Sequence, residues 1–486
     1  MEFLLTILIY LGALGLAAQA FIGLSFFVSC IWENEPRATV FAALQFIAMT
    51  ALLAAFLILA KGGFFRTTPG VAVLLAGYVV AILAGFFLVR RTGQNPRALE
   101  GTRGLIVGDV KRFDERDHVF ARNRSIRPGS EQYKAYYREH PEREMPDAQR
   151  RSRGGPLGHL GSIDSPHQKP NVAATLACLN IPLYLSTPEK ISPRPHFTLE
   201  GEKVEMSPEE ATERVKGFAR HLGADLVGIT EINPLWVYSH RGEVFHDNWE
   251  DWGKEIDLHH RYAVVFAEEM DFAMVGPAPH TPSVMESMKN YSKGAYISAQ
   301  VAAFIANLGY SATANHLRHY DVILPPLAVD AGLGEVGRLG YLMTKEFGPR
   351  VRLSAVTTDL PLVPDKPVDI GAEDFCRFCK KCATCCPSNS IPTDDGPEAY
   401  NGTLKWKLNA ETCFEYWGKV GTDCCICMKV CPWSHARTFP HRLVLWLITR
   451  NKLSRRIFSV MDDIFYGTKP KPKKGPSWAR YKPWKQ

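Results

Sequence analysis

Charged residues are missing from three long stretches of this 486-residue chain: Phe3–Ile31, Thr39–Ala60 and Val71–Val89. Each reaches or nearly reaches the ~20 residues that a helix needs to cross a bilayer. Only a helix satisfies its own backbone in lipid. The first run also lacks a basic n-region and is too long for the apolar core of a signal peptide, so it reads as a membrane helix. No twin-arginine signal opens the chain. The three runs hold no paired histidines, which leaves no ligands for haem between them. Cysteine is nearly absent before residue 376: of twelve, only Cys30 and Cys178 lie outside 376–431. A secreted disulfide scaffold would scatter its cysteines, so that class is excluded and the concentration argues for metal. Cys30 and Cys178 themselves read as small buried hydrophobes. A strong charge imbalance is also lacking. The 57 basic and 50 acidic residues leave +7, gathered on no repeated motif, and this speaks against a nucleic-acid partner.

Arg90, Arg91, Arg97, Arg103, Lys111 and Arg112 follow the third run, whereas the linker after the first run holds only Arg37. The positive-inside rule then expects a multi-pass protein of the inner (cytoplasmic) membrane with everything after residue 90 in the cytoplasm. Periplasmic placement is the alternative, and Lys61 and Arg66 in the second linker count towards it. The domain reading is 1–90 three transmembrane helices, 91–200 an irregular linking or wrapping region, 201–370 a catalytic domain, 371–440 a cysteine domain and 441–486 a basic tail. Arg150–Arg153 reads as solvated surface. Within 201–370 the pattern alternates. Ser207, followed by Glu209 and Glu210, caps a helix running to Leu222. Asp225–Thr230, Tyr262–Phe266 and Arg350–Thr357 read as buried strands, and Val284–Leu308 as a long helix with a 3.6-residue stripe. This is a layered α/β or α+β arrangement.

The run Cys376-x2-Cys379-x2-Cys382-x3-Cys386-Pro387 has the spacing of a bacterial ferredoxin. Cys424-x2-Cys427-x3-Cys431-Pro432 keeps the last three ligands of a second run, with Cys413 the best candidate for its displaced first member. The fourth cysteine of such a run serves the other cluster. Cys376, Cys379, Cys382 and Cys431 are thus expected to hold one [4Fe–4S] cluster, and Cys386, Cys413, Cys424 and Cys427 a second. Cys385 and Cys425 are left over and are expected to point away. Two clusters in series carry electrons singly, so the reactive centre belongs in the domain before them. Gly332, Gly334, Gly337 and Gly340 form a loop through which backbone N–H groups approach a ligand. Gly332–Gly337 even spells a dinucleotide string, but Pro325-Pro326 stands where its strand would be, and no phosphate-loop Gly-Lys-Ser/Thr follows.

The stretch from Leu327 to Gly340, then Glu346-Phe-Gly-Pro-Arg-Val-Arg352 and Thr358-Asp-Leu-Pro361, followed by the full and the displaced cysteine motifs, resembles the reductive dehalogenase family over roughly residues 200–440. The resemblance implies an α+β protein, with a nitroreductase-like domain holding cobalamin base-off and a ferredoxin-like domain feeding it electrons. The implied reaction is removal of halide from an organohalide. The family's tyrosine proton donor opens a Tyr-Ser-x-x-Ala-Tyr/Phe pattern, which here is Tyr291-Ser-Lys-Gly-Ala-Tyr296. Arg352 stands where the family has the cation that keeps the phenolate accessible, and is expected to lower the tyrosine's pKa. The glycine loop becomes a candidate for the corrinoid tail. The segment after Leu308-Gly-Tyr310 departs from the family pattern, and Asn315, His316 and His319 all remain candidates to border the substrate. Trp, Tyr and Phe abound around 236–272 and favour a halogenated aromatic. The electron donor, quinol or a reduced ferredoxin- or flavodoxin-type protein, stays open. Two other readings stand beside this one. One is a membrane iron–sulfur electron-transfer subunit without organic substrate, which would need no block at 284–361. The other is an epoxyqueuosine-reductase-like enzyme, which would use an acidic proton donor and no spans.

Overall fold

The computed structural model describes residues 2–154, 169–184, 203–244 and 249–480. The chain divides into two compact units, Met1–Gln94 with His435–Pro470, and Asn95–Ser434 with Lys471–Gln486.

In the first unit the three uncharged runs are helices α1 (Glu2–Trp32), α2 (Pro36–Lys61) and α3 (Thr68–Val89), each long and apolar enough to cross a membrane. At 1.5 Å per residue the shortest spans roughly 33 Å, against a hydrocarbon core of about 30 Å. Their large apolar side chains face outward, Ile58 at 71% and Val80 at 66% exposure. Such an outer surface suits lipid, where no hydrophobic penalty attaches to it. Small residues let α1 and α2 approach: a Cβ on Gly23 would stand 3.2 Å from the Phe46 Cα. At the far end of that pair Cys30, Ala38 and Ala42 are buried against Phe26, Phe27, Phe465 and Tyr466.

Residues 441–486, expected as a basic tail, instead contain most of the helix Phe439–Ile448 and all of the helix Lys452–Tyr466. The Asn451 amide donates to the carbonyls of Phe87 (2.8 Å) and Arg90 (2.6 Å) at the end of α3. Those are carbonyls that a helix end cannot satisfy by itself. The Arg37 Nε likewise donates to the Ile464 carbonyl at 2.9 Å. Their partners lie more than 350 residues upstream, so nothing local in the tail announced them.

The second unit is built on a four-stranded sheet. In chain order its strands and those of a small hairpin are β1 (Leu226–Glu231), β2 (Tyr262–Glu269), β3 (Ala312–Asn315), β4 (Glu335–Val336), β5 (Leu342–Met343) and β6 (Val351–Thr358). The sheet order is β1-β2-β6-β3 with every pair antiparallel, and β4 pairs β5 separately. Antiparallel pairing makes the unit α+β. In β2, Tyr262, Val264 and Phe266 face one core while Ala263, Val265 and Ala267 face another. Burial on both faces is why the strand reads as an unbroken apolar run. The long helix Thr281–Asn307 and the helix Pro208–His221 cover the first face, and Ser207 caps the latter through Glu210 N–H at 3.2 Å.

The 91–200 region, expected to be irregular, holds helices Glu131–Glu139, Pro141–Arg153 and Lys169–Tyr184, while residues 155–168 and 185–200 of it lie outside the described residues. The first two have little apolar content, so periodicity missed them; they are held by Tyr136 and Tyr137 in a small core and by the buried Arg122–Asp147 pair at 2.8 Å. The third meets the helix Thr281–Asn307, where the Asn171 amide donates to Thr281 Oγ1 at 3.1 Å. Arg150, expected on a solvated surface, pairs with Asp147 at 2.8 Å and Glu411 at 2.6 Å.

Glu268 lies wholly inside the sheet and accepts a hydrogen bond from Ser354 Oγ at 3.1 Å. Burial pushes its carboxyl up to about 8. The folded protein therefore keeps a proton that the unfolded chain releases above its ordinary value of 4.5. The resulting stability is complete below that value and is lost as pH rises through about 8. Thermal unfolding followed from pH 5 to 9 should show a falling midpoint. Glu268→Gln should remove up to about 1.4 kcal/mol per pH unit of that slope. An unchanged slope in the variant would refute the assignment.

Candidate active site

The cysteines gather as two sets. Cys376, Cys382 and Cys431 are buried, and the thiols of the first set raise one another: Cys376 is pushed to about 12, by burial first and then by Cys379. In the second set burial pushes Cys413 and Cys424 to about 12, and Cys386 and Cys413 act on Cys424 in the same direction. Burial also pushes Cys386 up, but hydrogen bonds from Ser388, Ser390 and Ile391 outweigh it and bring the thiol below its usual range. Beside the first set, the wholly buried Arg338 donates twice to the Cys376 carbonyl (3.0 and 2.9 Å) and once to that of Pro392 (2.7 Å).

The four glycines have reasons within the chain itself. Gly332 has φ +73, and a Cβ there would lie 2.5 Å from the Lys366 carbonyl. On Gly334 it would lie 2.0 Å from that of Met343, on Gly337 2.2 Å from the Met343 Sδ, and on Gly340 3.2 Å from the Leu408 Cβ. The expected open approach for a ligand is thus occupied, on the side-chain side, by β5 and its neighbours.

Tyr291 and Arg352 do come together. Tyr291 lies on the long helix and Arg352 on β6, with the guanidinium 5.4 Å from the ring centroid. Residues 352, 354 and 356 alternate onto the strand face that this helix covers. Arg352 Nη2 donates to Ser287 Oγ at 2.7 Å and pairs with Asp423 at 3.2 Å, and Ser287 also bonds Asp423. The expectation of a lowered tyrosine pKa is corrected by the structure. Arg352 does pull it down, but burial is the larger effect and Tyr291 lies above its ordinary value. Cys424 and Cys425 are consecutive residues with φ +64 and +55. This left-handed step, costly for residues with a Cβ, turns Cys424 towards the second set. Cys425 turns towards Ser287 and Arg352, each 3.9 Å from its sulfur.

Around this pair lie groups that no sequence pattern marked. Burial and Arg318 lower the Arg124 pKa to about 10, and Glu243, Tyr291 and Asp423 oppose them. Tyr320 responds to Tyr291, Glu243 and Tyr238. Tyr238, Tyr291, Tyr320, Tyr341, Arg124 and Arg318 retain accessible surface although protein surrounds them. Arg318 sits in a left-handed turn, φ +62. Of the three open candidates, Asn315 accepts from Asp321 N–H at 2.7 Å and holds that turn. His316 and His319 are buried in it, bonded backbone to backbone at 3.0 and 2.8 Å.

No family model matches the chain. The tetrachloroethene reductive dehalogenase of Dehalobacter restrictus is 35% identical over 277 residues, 48% of this chain and 50% of that protein. That of Sulfurospirillum multivorans is 34% identical over 292 residues, 54% and 58% of the two chains. The chain therefore spans about half the length of these relatives. An epoxyqueuosine reductase of Cyclobacterium marinum is 34% identical over 121 residues, 24% of this chain and 37% of that protein. Among solved structures, a reductive dehalogenase described as suggesting a mechanism for B12-dependent dehalogenation superposes with a TM-score of 0.59 and 27% identity, over 82% of this chain and 54% of that one. A catabolic reductive dehalogenase in complex with 3-bromo-4-hydroxybenzoic acid gives 0.58 and 26%, over the same shares. With three apolar helices at its N-terminus and a cysteine framework, the chain is similar in sequence and in fold to reductive dehalogenases over roughly half of their length.

Proposed function

We propose that this protein is a multi-pass membrane enzyme that reductively removes halide from an organohalide, with cobalamin bound base-off beside Tyr291 and with two [4Fe–4S] clusters on the eight cysteines. The convergence of Tyr291, Arg352, Ser287 and Asp423 carries the reading, because a pure electron relay has no use for it. The net change is R–X + 2e⁻ + H⁺ → R–H + X⁻. Bound corrinoid would supply the reducing cobalt centre that cleaves the carbon–halogen bond, and the clusters would supply its electrons singly. Tyr291 supplies the proton. Its raised pKa keeps it protonated at neutral pH, and Arg352 stabilises the phenolate left behind. Ser287 and Asp423 fix Arg352 so that it faces the ring. The N–H groups of Gly332, Leu333, Gly337 and Gly340 bond carbonyls of the chain itself, so the loop's contribution to the corrinoid tail falls to its remaining backbone donors.

A halogenated aromatic bearing an acidic hydroxyl or carboxylate suits the neighbourhood of Tyr291 and Tyr320, where the Arg124 guanidinium acts on Tyr291 and that of Arg318 on Arg124. The relative seen with 3-bromo-4-hydroxybenzoic acid points the same way. The arginines after α3 favour a cytoplasmic active site, with quinol or a reduced ferredoxin- or flavodoxin-type protein as donor.

The full chain, reconstituted with iron, sulfide and cobalamin, should release halide from a halophenol and halobenzoate panel under a low-potential reductant. Absence of cobalamin binding would sink the proposal. Tyr291→Phe should lower kcat at least 100-fold with cobalamin binding intact; a full rate would remove Tyr291 from the mechanism. Arg352→Gln should raise the pH at which the alkaline limb of the rate profile begins, because it removes the cation that lowers the tyrosine's pKa. A limb that moves down would contradict the pairing. Cys413→Ala should halve the iron content; undiminished iron would return the displaced ligand to another residue.

A further inference from the structure

Glu33, His435 and His441 form a compact group within the first unit, one ligand atom from each lying within 4.8 Å of the others. They arrive from distant parts of the sequence. Glu33 directly follows α1, His435 follows Cys431 by four residues, and His441 lies in the helix Phe439–Ile448. The Glu33 side chain is fully buried and its Oε1 lies 3.3 Å from His441 Nδ1. The two imidazoles stack, with centroids 4.9 Å apart and planes 21° apart.

The outer contacts decide what the group is suited to. His435 Nε2 meets Asp462 Oδ1 at 2.6 Å, and His441 Nε2 meets the Tyr466 hydroxyl at 2.8 Å. Metal-binding histidines are oriented in this way, through a carboxylate or other acceptor on the second nitrogen. His441 Nδ1 also meets the Thr438 hydroxyl at 2.7 Å, a contact that an ion between His441 and Glu33 replaces.

We propose that Glu33, His435 and His441 bind one divalent first-row transition ion of the zinc type. The donor set of two nitrogens and one oxygen suits zinc. Bonds of about 2.0–2.1 Å in tetrahedral geometry place donor atoms roughly 3.3 Å apart, a separation that Glu33 and His441 already have. The ion clamps the end of α1 to the two C-terminal helices. Three protein ligands leave a fourth position, which water fills.

The proposal is independent of the dehalogenase reading and is tested by metal content rather than activity. Full-length protein in detergent, purified without chelator and loaded with zinc, should carry one zinc per chain beside its iron, resistant to dialysis. Glu33→Gln and His441→Gln should each reduce this at least tenfold with iron content unchanged, which also reports that the cysteine domain is intact. Asp462→Asn leaves every ligand in place and should weaken zinc affinity 10- to 100-fold in competition with a chromophoric chelator. Protein that takes up no zinc at this site, or zinc that persists undiminished in the three variants, overturns the proposal; the second result would place the ion on cysteines.

Discussion

Arg352 is a buried cation whose charge must be answered inside the protein. Asp423 and Ser287 answer it, and in doing so they join β6, the long helix and the segment that carries Cys424. The pair's Coulomb energy is largely spent on desolvation, so its importance lies less in net stability than in what happens when one partner is lost. Breaking such a pair costs roughly 3–5 kcal/mol because a charge is left buried and alone. Every other distance in the site follows from this joint. It sets Arg352 over the Tyr291 ring, and it fixes Asp423, whose neighbours Cys424 and Cys425 then take the left-handed turn that divides them between the cysteine set and the arginine.

The parts of the molecule that were legible in the sequence are those written in local chemistry. Three uncharged runs could only be helices in an apolar solvent. Ser207 announced its helix. Tyr291 and Arg352 were found by motif, and the structure puts them side by side. What escaped was written over long range. Ser287, Asp423, Arg124, Glu243 and Arg318 belong to no pattern, and only the sheet and the cysteine turn bring them together. The helices within 131–153 escaped because tyrosines and ion pairs, not an apolar stripe, hold them. The direction of the Tyr291 shift was misjudged for a related reason. A cation's pull is visible in a motif, whereas the larger penalty of enclosure depends on how many residues close over the ring.

The glycine loop carries the same lesson in reverse. A string that invites a nucleotide or cofactor reading serves first to let β4 and β5 turn tightly beside Cys376, where any side chain would collide with backbone or with Met343. Glycine is required for its lack of volume, and a ligand's approach is only one of the circumstances that demand it.

The Asn451 amide closes the end of α3. Arg37 bonds the Ile464 carbonyl in the same way, so the start of α2 and the end of α3 are both tied to residues more than 350 positions downstream. The three apolar helices and the helices Phe439–Ile448 and Lys452–Tyr466 therefore act as one body, and loosening the later pair exposes the carbonyls at the end of α3 as well.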